Sequence, residues 1–248
     1  MNGTTPRTTI VVGASRGLGR GIASAFAEAG DLVVAVARTG PALAELAAGS
    51  ANIRPEVADA ADPAVPPNLL DKYEPQVLIL VAGANPVSRP LQYQTWETFS
   101  VNWHADVKMT FNWLCEALLK PLPPGGRVVV VSSGAAINGS PASGGYAGSK
   151  ATQRFIAAYA HEESQRAGLD ISVTAVMPRM TPHGDVGMTG IRAYAARSGQ
   201  TEEAFQKQMG ELLTPEIAGS ALLDLVRTDP ATVAPGYLLT GAGLQKLS

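Results

Sequence analysis

Short runs rich in Val and Ile recur along this chain, separated by Ala-rich stretches with helical spacing. The runs fall at Thr8–Val12, Leu32–Ala37, Ile53–Val57, Val77–Ala82, Arg127–Ser132, Ile171–Met177 and Tyr237–Leu239. They read as apolar throughout rather than alternating, as strands do when helices cover both faces of a sheet. Helical patterns lie at Leu18–Ala29, Trp96–Leu119, Tyr146–Arg166 and Pro215–Arg227. Gly30 and Gly168 stand where two of these would stop in a left-handed turn. Between Ala60 and Tyr73, Pro63, Pro66 and Pro67 leave room only for a short helix. This alternation predicts a doubly wound α/β domain, a parallel sheet of about seven strands with helices on both faces. No linker, repeat or low-complexity block divides the chain.

Composition agrees. At 248 residues the chain fits one α/β domain of roughly 250 and buries enough surface to stand without disulfides. With 46% hydrophobic and only 16% charged residues it is not a disordered sequence. A net charge of −2 without any basic cluster argues against nucleic acid as a partner. The single cysteine, Cys115, permits no intramolecular disulfide, is compatible with a reducing compartment and reads as a small buried residue. Met1 to Thr9 lacks the apolar core of a secretory signal, and Val77–Ala82 and Val128–Val131 are too short to cross a bilayer. A cytoplasmic protein with no membrane partner is expected.

One segment breaks the rhythm. Between Met177 and Pro215, 37 residues run without a strand signal and carry Pro178, Pro182, Gly184, Gly187, Gly190 and Gly199. An insertion after a strand end, here 178–214, suits a substrate lid, although a tolerated surface excursion gives the same pattern. Weak helical patches at Val186–Arg197 and Glu202–Met209 favour an ordered lid.

The first strand runs into Gly13-Ala14-Ser15-Arg16-Gly17-Leu18-Gly19, and a helix follows at once. Glycines here let the backbone approach a pyrophosphate, which meets the N–H groups at the helix start. The same letters spell G-x-S-x-G, the nucleophile elbow of α/β-hydrolases with Ser15 as nucleophile. That fold needs strands before the elbow, and only twelve residues precede Gly13. The hydrolase reading fails on that ground. At the end of the second strand, NAD sites place an acidic residue against the adenosine ribose. This chain has Ala37, Arg38 and Thr39 instead, and Arg16 lies in the glycine turn. Two arginines and no carboxylate suit the 2′-phosphate of NADP. Hydrogen bonds to charged groups contribute about 1.5–3 kcal/mol each, enough to favour NADP by an order of magnitude or more.

Tyr146-Ala147-Gly148-Ser149-Lys150 opens a later helix, with tyrosine and lysine one turn apart on one face. An adjacent ammonium favours the phenolate form of a tyrosine. Ser132 and Ser133 end the preceding strand, and in this architecture a strand's carboxyl end and the following helix start share the ligand crevice. A hydroxyl, a phenol and an ammonium therefore converge.

With these residues in place the chain resembles a short-chain dehydrogenase/reductase of the one-domain, Rossmann-fold type, over nearly its whole length. The resemblance implies that Tyr146 is the general acid–base residue, that Ser133 orients the carbonyl, and that Lys150 lowers the tyrosine pKa and holds the nicotinamide ribose. Asn102 matches the family's fourth catalytic position, which supports a proton relay; a kink or cap inside the helix is the other reading. Asp59 and Ala60 match the adenine-binding position, and Ala82, Gly83, Pro178, Arg179 and Thr181 fall among further cofactor contacts. Three departures stand out. Leu80-Val81-Ala82-Gly83 replaces Asn-Asn-Ala-Gly, so a bracing amide is missing. Pro178-Arg179 replaces Pro-Gly, leaving Arg179 to meet pyrophosphate, an anionic substrate group or solvent. Thr240-Gly241-Ala242-Gly243 only approximates the closing glycine pair.

The remaining candidates carry less. His104, His161 and His183 are scattered, no metal-ligand spacing occurs, and Trp103, Phe111 and Trp113 read as core or subunit contact. The expected function is an NADP(H)-dependent oxidoreductase acting on the carbonyl or alcohol of a small or medium organic molecule. Alternatives are an NADP-binding regulatory protein without turnover, and an epimerase or dehydratase. A homodimer or homotetramer through the two long helices is implied by the resemblance.

Overall fold

The computed structural model describes residues 6–247, so Met1–Thr5 of the polar N-terminus and Ser248 lie outside it. The strands are β1 (Thr8–Val12), β2 (Leu32–Ala37), β3 (Ile53–Val57), β4 (Val77–Leu80), β5 (Arg127–Val131), β6 (Ser172–Pro178), β7 (Gly236–Thr240) and β8 (Gly243–Lys246). The helices are α1 (Gly17–Glu28), α2 (Gly40–Ala48), α3 (Val65–Tyr73), α4 (Trp96–Phe99), α5 (Lys108–Leu119), α6 (Ala135–Asn138), α7 (Tyr146–Ala167), α8 (Asp185–Arg197), α9 (Glu202–Lys207) and α10 (Pro215–Arg227). They build one sheet in the order β3-β2-β1-β4-β5-β6-β7-β8. Adjacent strands from β3 through β7 are parallel, and β8 adds an antiparallel edge on β7.

The expected seven strands thus become eight. The extra one, Gly243–Lys246, is short and only half-covered, so it carries no apolar run to betray it. At the other edge, β3 buries only Ile53 fully while Arg54 and Pro55 are exposed, as an edge strand permits. Central strands alternate between two cores. Val11, Ile79 and Val129 face α1, α2 and α10, whereas Ile10, Val12, Leu78 and Val130 face α3, α5 and α7. The uniformly apolar reading of these strands follows from that double cover.

Two helix readings need correction. Gly40–Ala48 forms α2, which sequence patterning passed over. The single helix expected over Trp96–Leu119 is broken into α4, a π-helical turn at Trp103–Val107, and α5. In that wide turn the Asp106 carbonyl accepts the Thr110 hydroxyl (2.9 Å) and the Gln153 amide (3.2 Å), so side chains satisfy it. The left-handed stops are present, with Gly30 at φ 95° and Gly168 at φ 65°. α3 begins at its two prolines and is nine residues long.

Helices α1 and α10 touch backbone to backbone. A Cβ on Gly219 would lie 2.7 Å from the Gly21 carbonyl oxygen and 2.7 Å from the Ala25 Cβ. Gly219→Ala should therefore force the helices apart and lower stability by about 1–3 kcal/mol, read as a lower urea midpoint at unchanged m-value.

Candidate functional site

β1 and β4 are neighbours in the sheet, but β2 and β3 lie on one side of them and β5 to β7 on the other. At that reversal point a crevice opens beyond the carboxyl ends of the strands. It forms a cavity of about 1370 Å³. The turn from β1 into α1 makes its floor. Gly13 (φ 100°) hydrogen-bonds Val36 O at 2.8 Å, and a Cβ there would sit 2.5 Å from Ala82 N. A Cβ on Gly19 would sit 2.1 Å from Gly13 O. Only glycine fits either place. Arg16 precedes α1 in extended conformation without a side-chain cap, so no described side chain occupies the first N–H groups of the helix beside the cavity. A glycine-built cradle at an uncapped helix start suits a dinucleotide pyrophosphate.

Ser15, Gly17, Leu18, Ala37, Arg38, Thr39, Asp59, Ala60, Ala82 and Gly83 all line this cavity. Arg38 is exposed and makes no ion pair with a described residue, whereas Arg16 pairs with Asp185 at the start of α8. Asp59 spends one oxygen on Ala61 N at 3.1 Å, an Asx turn that fixes its loop. On the far side, Ser133, Tyr146 and Lys150 line the same cavity from β5's end and the first turn of α7. Lys150 is 4% exposed, and its Nζ stands 5.4 Å from the Tyr146 ring centroid. The Ser132 hydroxyl donates to Lys150 O at 2.7 Å and pins the helix to the strand end.

Pro178, Arg179 and Thr181 follow β6 into the cavity wall. The Gly134 N–H donates to Pro178 O, and the Arg179 N–H to Leu239 O, both at 2.8 Å. The Arg179 side chain is exposed and has no partner among the described residues. The Thr181 hydroxyl donates to Leu213 O at 2.5 Å and ties the two ends of the 178–214 segment together. That segment carries α8 and α9, with Tyr194 and Phe205 stacked at 6.3 Å between centroids. The Tyr194 hydroxyl meets Ser140 Oγ at 2.8 Å, across the cavity mouth.

Asn102 stands immediately before the π-helical turn. It is buried at 1% exposure outside the cavity lining, and its amide donates to Ala84 O (2.7 Å) and Asp106 Oδ2 (3.2 Å). Its side chain reaches Lys150 only through Asp106. Patterning overlooked Asp106, Thr110 and Gln153, all fully buried behind the lysine. An acidic residue within an otherwise helical apolar stretch was the available signal. Cys115 is half-buried rather than buried, with its thiol pushed up by burial and by Glu116. Trp113 is core, its Nε1 donating to Ala60 O at 3.1 Å. Among the described residues, no cluster of three His, Cys, Asp or Glu is placed to hold a metal, and no helix is long and apolar enough to cross a membrane.

The family model for short chain dehydrogenases matches residues 7–195. The chain belongs to the short chain dehydrogenase family, oxidoreductases that use a nicotinamide cofactor. An oxidoreductase of this family from Burkholderia thailandensis is 26% identical, with a TM-score of 0.75 over 95% of this chain and 90% of that one. A short chain dehydrogenase from Mycobacterium avium shares the fold at 21% identity and TM-score 0.77, over 98% of this chain and 85% of its own. So does a 3-ketoacyl-(acyl-carrier-protein) reductase from Brucella melitensis complexed with NADH, at 19% identity and TM-score 0.75, covering 93% and 94%. No curated protein matches the sequence.

The buried ion pair gives a stability test. Lys150→Met leaves Asp106 without its counter-charge at 0% exposure and should cost about 3–5 kcal/mol in urea unfolding. Adding Asp106→Asn should recover most of that loss.

Proposed function

We propose that this protein is an NADPH-dependent carbonyl reductase, or an alcohol dehydrogenase in the reverse direction, acting on a small or medium organic substrate. The observation that carries the reading is that Ser133, Tyr146 and Lys150 line the cavity into which the glycine turn also opens. When bound, the nicotinamide supplies or accepts the hydride. The residues of the chain do the rest. Tyr146 Oη delivers a proton to the carbonyl oxygen in reduction and takes it back in oxidation. The Ser133 hydroxyl donates a hydrogen bond to that oxygen. Lys150 holds positive charge beside the phenol and presents an N–H to the ribose. Gly13, Ser15, Gly17, Leu18 and Gly19 take the pyrophosphate, Asp59 and Ala60 the adenine, and Ala82, Gly83, Pro178 and Thr181 the remaining wall. Arg179, with no partner among the described residues, is available to a phosphate or an anionic substrate group.

NADPH is favoured over NADH by Arg38, which has no ion-pair partner among the described residues, by Arg16, and by the absence of an acidic residue over 37–39. Helices α8 and α9 form the substrate lid, tied down by Tyr194 and Ser140. Phe111 on α5 and Phe155 and Tyr159 on α7 are more than half exposed, which supports a homodimer or homotetramer through these helices. A cytoplasmic location accompanies the reading.

NADPH absorbance over a panel of ketones, aldehydes and quinones tests the reaction. Oxidation that falls by roughly 10²–10⁴-fold in Tyr146→Phe, with NADPH binding retained, supports it; near-normal turnover in that variant overturns the mechanism. Arg38→Ala should reduce the preference for NADPH over NADH in kcat/KM by about tenfold or more, with little change for NADH.

A further inference from the structure

At the cavity wall, with Asp106 in the lining and Asn102, Thr110 and Gln153 behind it, lies a polar cluster that the reaction as described leaves unused. Asp106, fully buried in the π-helical turn, places Oδ2 3.0 Å from Lys150 Nζ. Its Oδ1 accepts the Ala84 N–H at 2.7 Å, and Oδ2 also accepts Asn102 Nδ2 at 3.2 Å. Gln153, three residues along α7 from the lysine, accepts from Lys150 Nζ at 2.8 Å. Its own Nε2 donates to the Thr110 hydroxyl at 2.6 Å and to Asp106 O at 3.2 Å. An ammonium has three N–H donors. Asp106 and Gln153 take two of them, which leaves one for the cavity that Lys150 lines.

We propose that Asp106, backed by Gln153, is a positioning residue for the proton-transfer step: it supplies the counter-charge that keeps Lys150 an ammonium in full burial and clamps that ammonium beside Tyr146. The role in catalysis rests on the reductase reading; the pairing itself does not. Burial alone favours a neutral amine. Here burial pulls the Lys150 amine down, while the Asp106 charge, then Tyr146, then the Asp106 hydrogen bond pull it up, and the net displacement is upward. Asp106 and Tyr146 are the titratable groups acting on Lys150 among the described residues. The other faces are uncharged: Ser132 of β5 bonds the Lys150 carbonyl, and Gln153 and Thr110 close the side towards α5. The carboxylate also packs closely on Gly83, where a Cβ would sit 3.1 Å from Asp106 Oδ2.

The sign of the effect is fixed whichever group loses its proton first. Removing a nearby negative charge makes any proton of the Tyr146–Lys150 pair easier to lose. Asp106→Asn keeps the shape and removes the charge. In the reductive direction its activity should be lost with rising pH about 1–3 pH units earlier than in wild type. Gln153→Leu leaves the carboxylate in place, so it should lower kcat roughly ten- to a hundredfold without moving that limb. A limb that stays put in Asp106→Asn, or that moves equally in Gln153→Leu, overturns the assignment.

A measurement without turnover separates this from the reductase reading. The chain has six lysines, so 13C-labelled lysine Cε signals of the cofactor-free protein can be followed by NMR, with Lys150 assigned by its loss in Lys150→Met. In wild type the Lys150 signal should titrate above the ordinary amine value of about 10.4. In Asp106→Asn it should titrate about 1–3 units lower than in wild type. A wild-type Lys150 that titrates below the ordinary value overturns the proposal even if the variant fails to fold, and superimposed titrations overturn it as well. A protein that reduces no carbonyl yet shows the shift retains the Asp106–Lys150 coupling and loses only the reaction assigned to it.

Discussion

A sheet that is apolar on both faces has no side on which to do chemistry. Residues 10, 11 and 12 of β1 point alternately into two cores, and β2, β4 and β5 repeat the pattern. Polar function is therefore confined to the ends of the strands. At the carboxyl ends every connection must turn before its helix begins, and residues lining the cavity occupy those turns: Gly13, Ser15, Arg16 and Gly17 after β1, Arg38 and Thr39 after β2, Asp59 after β3, Ala82 and Gly83 after β4, Ser133 after β5 and Arg179 after β6. The parallel arrangement gathers six such turns on one edge. Closeness of backbone, rather than charge, then fixes the floor: Gly13 against Ala82 and Gly19 against Gly13 leave no room for a side chain.

How much of this was legible in the sequence depends on the range of the interaction that fixes each part. The strands of the central sheet were, because double burial writes itself as consecutive valines and isoleucines. So were the glycine turn and the Tyr146/Lys150 pair, whose spacing is local. The short edge strand β8 was not, since Leu244 to Lys246 has one apolar residue and takes its hydrogen bonds from β7. Nor was α2, whose Gly40-Pro41 start reads as a turn. The break in Trp96–Leu119 was hidden because apolar periodicity continues across it. One partner of the Asp106 carbonyl in that turn comes from elsewhere in the fold, the Gln153 amide 47 residues away on α7.

The same distance effect governs the site. The motif around Asn102 is local, but the partners of its amide, the cavity-lining Ala84 and Asp106, are set by the fold. The substitution of Leu80-Val81 for two asparagines looked like a missing brace. The structure supplies a brace from the opposite direction, since the Asp106 carboxylate and the Asn102 amide hold the backbone of Ala84. A buried ion pair is a poor source of stability compared with apolar packing. The Asp106–Lys150 pair is therefore a constraint on one side chain more than a contribution to folding.

The π-helical turn has a further consequence for how this chain tolerates change in length. A π-helical turn closes on i→i+5 bonds and so holds one residue more than the α-helical turn it replaces. Loss of one residue from 103–107 can therefore be taken up by closing the turn into regular helix, which leaves Met109 and Trp113 in the core and Phe111 outside it. Loss of one residue from α5 itself has no such outlet, because a regular helix advances about 100° per residue and everything beyond the deletion would swing by that angle. The turn is thus a reserve of chain length inside a helix, and what its closure would sacrifice is the carbonyl of Asp106 that Gln153 and Thr110 reach.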